Sequence, residues 1–235
     1  QMPAPTGWEW QSPDSVAYNK QQPHAWFFSF ANVDEARKVL PENSSLWQSL
    51  DGEWQFHWAS NPDQRPKDFY KTDFDASKWD NVQVPMNWNL AGRQKDGSFK
   101  YGKPLYSNQR VIFQHSVKVG DWKGGVMRTP PKDWQSYTDR NEVGSYRRTF
   151  TIPAAWKGMQ ICLNFDGVDS FFYLYVNGKY VGFSKNSRNL AQFDITPYLN
   201  EKGENLVAVE VYRHSDGSFL ESQDMFRLPG IFRTV

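Results

Sequence analysis

The chain has 235 residues, with 27 Lys and Arg against 26 Asp and Glu and a net charge of +1. This balance gives no general attraction to nucleic acid or to an anionic membrane, and no apolar run is long enough to span a bilayer as a helix. Aromatic residues stand out at 17% in a chain that is 23% charged, a profile that fits both a carbohydrate-recognising protein and a strand-rich domain with an aromatic core.

Residues 1–45 read as an extended N-terminal arm with little periodicity, carrying Trp8-Glu9-Trp10 and Asn19-Lys20-Gln21-Gln22-Pro23-His24. Residues 34–40 have a short helical pattern that stops at Pro41. An opening on Gln1 rather than Met is expected of a processed secreted chain or of a trimmed one. In residues 46–60, Trp54, Phe56 and Trp58 alternate with Gln55 and His57, which predicts a strand with an aromatic inner face and an outward His57. Residues 61–80 are an excursion rich in Pro and Asp, in which Trp79 reads as a packing anchor.

Val82 and Val84 alternate into Pro85, which ends ladder pairing. Asn87 and Trp88 then emerge at the strand end, where binding loops usually lie, although an Asn after Pro also suits a plain turn. Residues 107–142 read as a long loop inserted in the domain, with Arg128, Trp134 and other cations and rings interleaved. Such loops are usually functional or flexible. Cations among rings suit single-stranded nucleic acid, but the near-neutral charge argues against it.

From residue 144 the strands are plain: 144–153, 160–168, 171–176, 179–183, 192–199 and 206–211, with Asn177-Gly178 as a hairpin turn. Short strands at this spacing without helical segments predict an all-β sandwich. Cys162, the sole cysteine, cannot form an internal disulfide, and its Ile161 and Leu163 neighbours predict a buried, inert thiol. After the turn at Ser215-Asp216-Gly217, Glu221, Asp224 and Arg227 sit three apart beside Met225 and Phe226. Carboxylates accept hydrogen bonds from sugar hydroxyls and rings cover the C–H face of a pyranose. The plainer reading is that Asp224 caps a turn and Arg227 pairs with it.

The stretch from His214 to Arg233 resembles the pattern S-D-G-S-x-L-E-x-Q-D-M-W-R-x-x-G-I-x-R, which closes the N-terminal sugar-binding domain of family 2 glycoside hydrolases, in particular the bacterial β-galactosidases; Phe226 stands where that pattern has Trp. Further matches are N-K-x-x-P-H at 19–24, L-x-G-x-W-x-F at 50–56, F-D-x-S-x-W-D at 74–80, V-P-x-N-W at 84–88, G-x-P-x-Y-x-N at 102–108, and F-D-G-V-x-S-x-x-x-L-x-V-N-G-x-x-V-G at 165–182. The resemblance implies a jelly-roll β-sandwich over 46–235, like a galactose-binding domain, with the arm before it and the 107–142 loop within it. It implies that Asn87 and Asp224 bind substrate, with Trp88, Glu221 and Arg227 in support.

It further implies that the two catalytic glutamates of a retaining β-galactosidase lie in a (β/α)8 barrel which, with an Ig-like domain, is expected downstream, so that no catalytic residue falls in this chain and the chain alone is inactive. No cofactor is expected in the chain itself. Sodium or magnesium would belong to the full-length enzyme, with Asp224 a sodium ligand only together with the barrel. Expected partners are a galactose-containing oligosaccharide or polysaccharide, the downstream domains and a second copy of the full-length protein, but not nucleic acid or membrane. Similar bacterial enzymes favour a periplasmic or secreted location. By this reading the 107–142 loop borders the cleft, and Arg128 and Trp134 adapt it to a longer or sulfated galactan; the plain alternative is a solvated loop. The competing functional reading is a stand-alone carbohydrate-binding module for galactans.

Overall fold

The computed structural model describes residues 4–107, 141–200, 202–221 and 223–235. Arg128 and Trp134, singled out in the inserted loop, lie outside the described residues. The strands are β1 (Ala17–Tyr18), β2 (Gly52–Ala59), β3 (Asp80–Val84), β4 (Leu105–Ser107), β5 (Val143–Phe150), β6 (Cys162–Phe165), β7 (Val168–Asp169), β8 (Phe171–Val176), β9 (Lys179–Ser184), β10 (Ala191–Asp194), β11 (Asn205–Tyr212), β12 (Met225–Arg227) and β13 (Gly230–Ile231), with short helices α1 (Val33–Ala36) and α2 (Trp88–Ala91).

Seven strands form one antiparallel sheet in the order β1-β9-β8-β11-β5-β2-β3. The β6–β10 and β7–β13 pairs lie against one face of it. Between the layers sits the main core, where Phe165 of β6 and Phe193 of β10 meet Phe172 of β8 at 4.9 and 6.0 Å between ring centres. The arrangement is the all-β sandwich expected from the sequence. The β8–β9 hairpin turns on Asn177 and Gly178, both at positive φ (50° and 76°), which matches the right-handed twist of the flanking strands. The Asn177 side chain then ties the turn to β11, accepting from Leu206 N at 2.8 Å.

The whole of β11 is buried, on both of its faces. Val207, Val209 and Val211 enter the sandwich core. Ala208 and Tyr212, on the other side, join a second cluster with Trp10 of the arm, Phe69 of the 61–80 excursion, and Tyr173 and Tyr175 of β8. Trp10 is buried and stacks on Tyr212 at 5.2 Å. The large sheet is therefore covered on both faces, by the small strands on one and by non-strand chain on the other.

Three expectations are revised. His57 does not stand out into solvent: its ring packs 5.3 Å from Trp79, and burial lowers its pKa, opposed by Asp80. Trp79, as expected, anchors packing in the second cluster. Cys162 is exposed, not buried, because the period-two alternation of β6 sends Leu163 and Phe165 inward and Cys162 outward. Its thiol pKa is nevertheless raised, by local desolvation and by the Asp194 carboxylate paired across the strands. The helix expected over residues 34–40 is the single turn α1, capped by Asn32 accepting from Glu35 N at 2.9 Å.

Candidate functional site

β11 leads into the segment that carries most of the sequence candidates. Ser215 and Ser218 form a reciprocal cap over the short turn Asp216–Phe219, and Asp216 pairs with Lys185 at 2.7 Å. The chain then enters β12, which pairs with β4 so that Phe226 lies opposite Tyr106. Their rings are 5.1 Å apart and both are exposed. The Tyr106 hydroxyl donates to Asp224 Oδ1 at 2.6 Å. An exposed carboxylate fixed by a phenol, beside two aromatic faces, has the elements of sugar recognition: an acceptor for hydroxyls and a surface for the pyranose C–H face.

Alternation in β12 turns Arg227 inward while Phe226 faces out. The Arg227 guanidinium donates to the carbonyls of Glu221 and Gln223, at 2.5 Å each. Glu221 in turn accepts from the backbone N and the hydroxyl of Ser187, at 2.8 and 2.6 Å. Glu221 and Arg227 thus brace the backbone on either side of residue 222, up to the residue before Asp224. Burial lowers the Arg227 pKa, with Asp169 opposing the shift.

Asn87 lies elsewhere along the same segment. It sits at the N-cap position of α2 without a side-chain capping bond, and its amide donates instead to Leu228 O at 2.6 Å. Met86 N to Ile231 O and Trp88 N to Pro229 O, at 2.8 and 3.1 Å, continue this pairing. At about 3.3 Å per extended residue, Leu228 is at most roughly 13 Å from Asp224. Tyr106 is the residue brought onto the Asp224 carboxylate, while Asn87 is anchored toward the other end of the segment. Its Oδ1 has no hydrogen bond among the described residues. Trp88 is fully buried, with Nε1 donating to Glu142 Oε2 at 3.2 Å, so it supports from beneath.

Under this edge lies a charged pair that the sequence did not announce. Arg213 and Glu142, both buried, pair at 2.6 Å, and Arg213 also donates to Lys103 O at 2.8 Å. A Cβ on Gly102 (φ +71°) would come within 2.3 Å of the Glu142 carboxylate, so only glycine fits there. Next to the pair, buried His214 is held neutral: burial first, then Arg213 and Arg227, drive its pKa well below the ordinary value. Asp169 pairs with Arg188 at 3.2 Å. Burial pushes its carboxyl up to about 7, with Arg188 opposing and Glu221 adding to the shift. Of these residues, Gly102 and Tyr106 had a signal in the sequence, as the glycine and tyrosine of the G-x-P-x-Y-x-N match.

At Asp224 one carboxylate oxygen already accepts from Tyr106, and among the described residues no group of three or more His, Cys, Asp or Glu is placed to hold an ion. These residues alone do not fit sodium or magnesium.

The fold and this edge define an antiparallel β-sandwich domain with a carboxylate and aromatic rings at one loop-bearing rim. The family model described as "Glycosyl hydrolases family 2, sugar binding domain" matches residues 47–235, and the chain belongs to that family. It is 41% identical over 97% of its length to a β-galactosidase of Priestia megaterium, of which it spans 20%. It is 37% identical over 95% of its length to a β-galactosidase large subunit of Lactobacillus helveticus, of which it spans 34%. The chain thus spans a fifth to a third of these curated relatives. Among solved structures, a Bacteroides uniformis β-glucuronidase aligns over 80% of this chain and 17% of its own, with TM-score 0.53 and 24% identity. A family 2 glycosyl hydrolase from Bacteroides cellulosilyticus aligns over 80% of this chain and 20% of its own, with TM-score 0.52 and 23% identity. Both likenesses concern the fold.

Proposed function

We propose that the chain is the non-catalytic sugar-binding domain of a β-galactosidase-like retaining glycoside hydrolase, and that Asp224 positions a galactoside in an active site completed by other domains of the same protein. The observation that carries this reading is the exposed Asp224 carboxylate, fixed by Tyr106 beside Phe226, on a chain of this family. Retaining hydrolysis needs two carboxylates about 5–5.5 Å apart across the scissile bond, and the resemblance assigns both to a (β/α)8 barrel. The part left to this domain is orientation: a fixed carboxylate that accepts from a sugar hydroxyl lowers the entropic cost of reaching the reactive geometry. Asn87 enters the same reading through its Oδ1, which has no partner among the described residues, and we propose the 107–142 loop, with Arg128 and Trp134, as a border of the cleft.

The test is Asp224→Asn in the full-length enzyme. The variant keeps the shape and the Tyr106 contact but loses the charge. Hydrogen bonds to charged groups contribute about 1.5–3 kcal/mol, so kcat/KM on a neutral galactoside should fall on the order of 10- to 150-fold. Unchanged kcat and KM would remove Asp224 from the site. The stand-alone module draws support from the exposed Tyr106 and Phe226 rings; it predicts that the chain by itself binds galactan oligosaccharides and loses that binding on Phe226→Ala.

A further inference from the structure

A cavity of about 520 Å³ opens between the N-terminal arm and the β9–β10 connection, within the size range of small-ligand sites. Its wall holds Lys20, His24 and Trp26 from the arm and Asp166, Arg188 and Arg233 from the body. Cations outnumber the single carboxylate. Arg188 is paired with Asp169. Arg233 is fixed by backbone carbonyls, donating to Arg188 O at 2.7 Å, and its ring-side neighbour is Phe232. Among the described residues neither Lys20 nor Arg233 has a carboxylate in ion-pair contact, although the Asp166 carboxylate on the same wall is near enough to Arg233 to feel its charge.

Burial lowers the Lys20 pKa, which is the mark of an ammonium that has lost water without gaining a counter-ion. His24 offers its two ring nitrogens to Ala25 O and Gln192 Oε1, at 2.8 and 3.0 Å. Two oxygen acceptors are both satisfied only by the protonated ring, and its pKa is raised accordingly. The remaining wall is rich in side-chain amides, Gln21, Gln22, Asn186 and Asn189, which offer both donors and acceptors to hydroxyls. Trp26 lines the wall and is 60% exposed; Phe28 packs edge-on against its ring at 4.8 Å, and the exposed part offers aromatic surface to a pyranose.

We infer that this cavity binds an acidic saccharide, with Lys20 and Arg233 receiving its carboxylate or sulfate ester and Trp26 covering the sugar ring. An anion placed there supplies the counter-ion that Lys20 lacks, and the amides take the neighbouring hydroxyls. The site uses none of the residues assigned to the galactoside at Asp224, so either reading stands or falls without the other.

Calorimetric titration of the protein tests it, with a galacturonate oligosaccharide, a sulfated galactose oligosaccharide, the neutral galactose oligosaccharide of equal length, and sodium sulfate. At least one acidic saccharide should bind on the order of tenfold or more tighter than the neutral one, as a charged hydrogen bond implies; the two acidic arms tell carboxylate from sulfate ester. Lys20→Gln should reduce that preference by a similar factor, Trp26→Ala should weaken binding of the acidic saccharide itself, and Asp224→Asn should leave both unchanged. Equal binding of acidic and neutral saccharides, a preference untouched by Lys20→Gln, or an affinity untouched by Trp26→Ala would overturn the inference. So would sodium sulfate binding as tightly as the saccharides, which would make the cavity a free-anion site.

Discussion

At the scale of single residues, the candidate site rests on a charge pair rather than on the residues that face solvent. Glu142 and Arg213 are buried and paired at 2.6 Å, with Trp88 donating to the same carboxylate. Replacing a buried pair as a whole costs little, but removing one partner leaves an uncompensated charge. Glu142→Gln is therefore expected to destabilise the fold by about 3–5 kcal/mol, seen as a lower urea midpoint with unchanged slope. The double variant Glu142→Gln with Arg213→Met should recover much of that loss; a double variant no more stable than Glu142→Gln would show that the charge of Arg213 is not the cause. This pair was not legible in the sequence because nothing local links residues 142 and 213. Their meeting depends on β5 and β11 lying side by side in the sheet. Asp224 was legible because its motif is local, but its partner Tyr106 is 118 residues away, and only the β4–β12 pairing brings the two together.

At the scale of elements, the strands were legible and their surroundings were not. Period-two alternation identified β2 and β11, and Asn177-Gly178 between two apolar runs identified the β8–β9 hairpin. Alternation says which residues share a face, not what covers it. For β11 the pattern gave a strand but not its cover, and Trp10 and Phe69 reach its second face from segments without periodicity. The same ignorance of cover placed His57 in solvent; Cys162 was placed in the core by its apolar neighbours, against the alternation of β6. The arm is therefore an integral layer at Trp10, not a loose extension. Trp10→Ala removes a buried ring stacked on Tyr212 and is expected to cost about 3–5 kcal/mol in denaturant unfolding. If the arm were a decoration, the variant would unfold at the wild-type midpoint.

At the scale of the whole molecule, stability should carry a pH signature from Asp169. This residue sits where several loops meet: it pairs with Gly230 across β7 and β13, its carboxylate faces Arg188, and Arg227 and Glu221 lie near enough to bias its titration. Burial raises its carboxyl from 3.8 to about 7. In the folded chain it keeps its proton across that interval, while in the unfolded chain the proton has left by about pH 4. Folding therefore takes up a proton between these values. The contribution to stability is full below the unfolded pKa and is lost as pH rises through the folded one. Glu210, Asp166 and Asp216 are also raised by burial, whereas Asp80 and Asp194 are lowered in the presence of hydrogen-bond partners, so the net profile of the protein mixes both signs. The Asp169 share is isolated by Asp169→Asn, which is neutral at every pH. The melting temperature of the wild type, measured relative to this variant, should decline steadily from pH 4 to pH 7 and level off above. Parallel curves for the two proteins would mean that Asp169 is ionised throughout, held so by Arg188. The distinction bears on the sugar edge as well, since Glu221 and Arg227 brace the loop that ends at Asp224. An ionised Asp169 opposes the desolvation of the Arg227 guanidinium, and a neutral one does not.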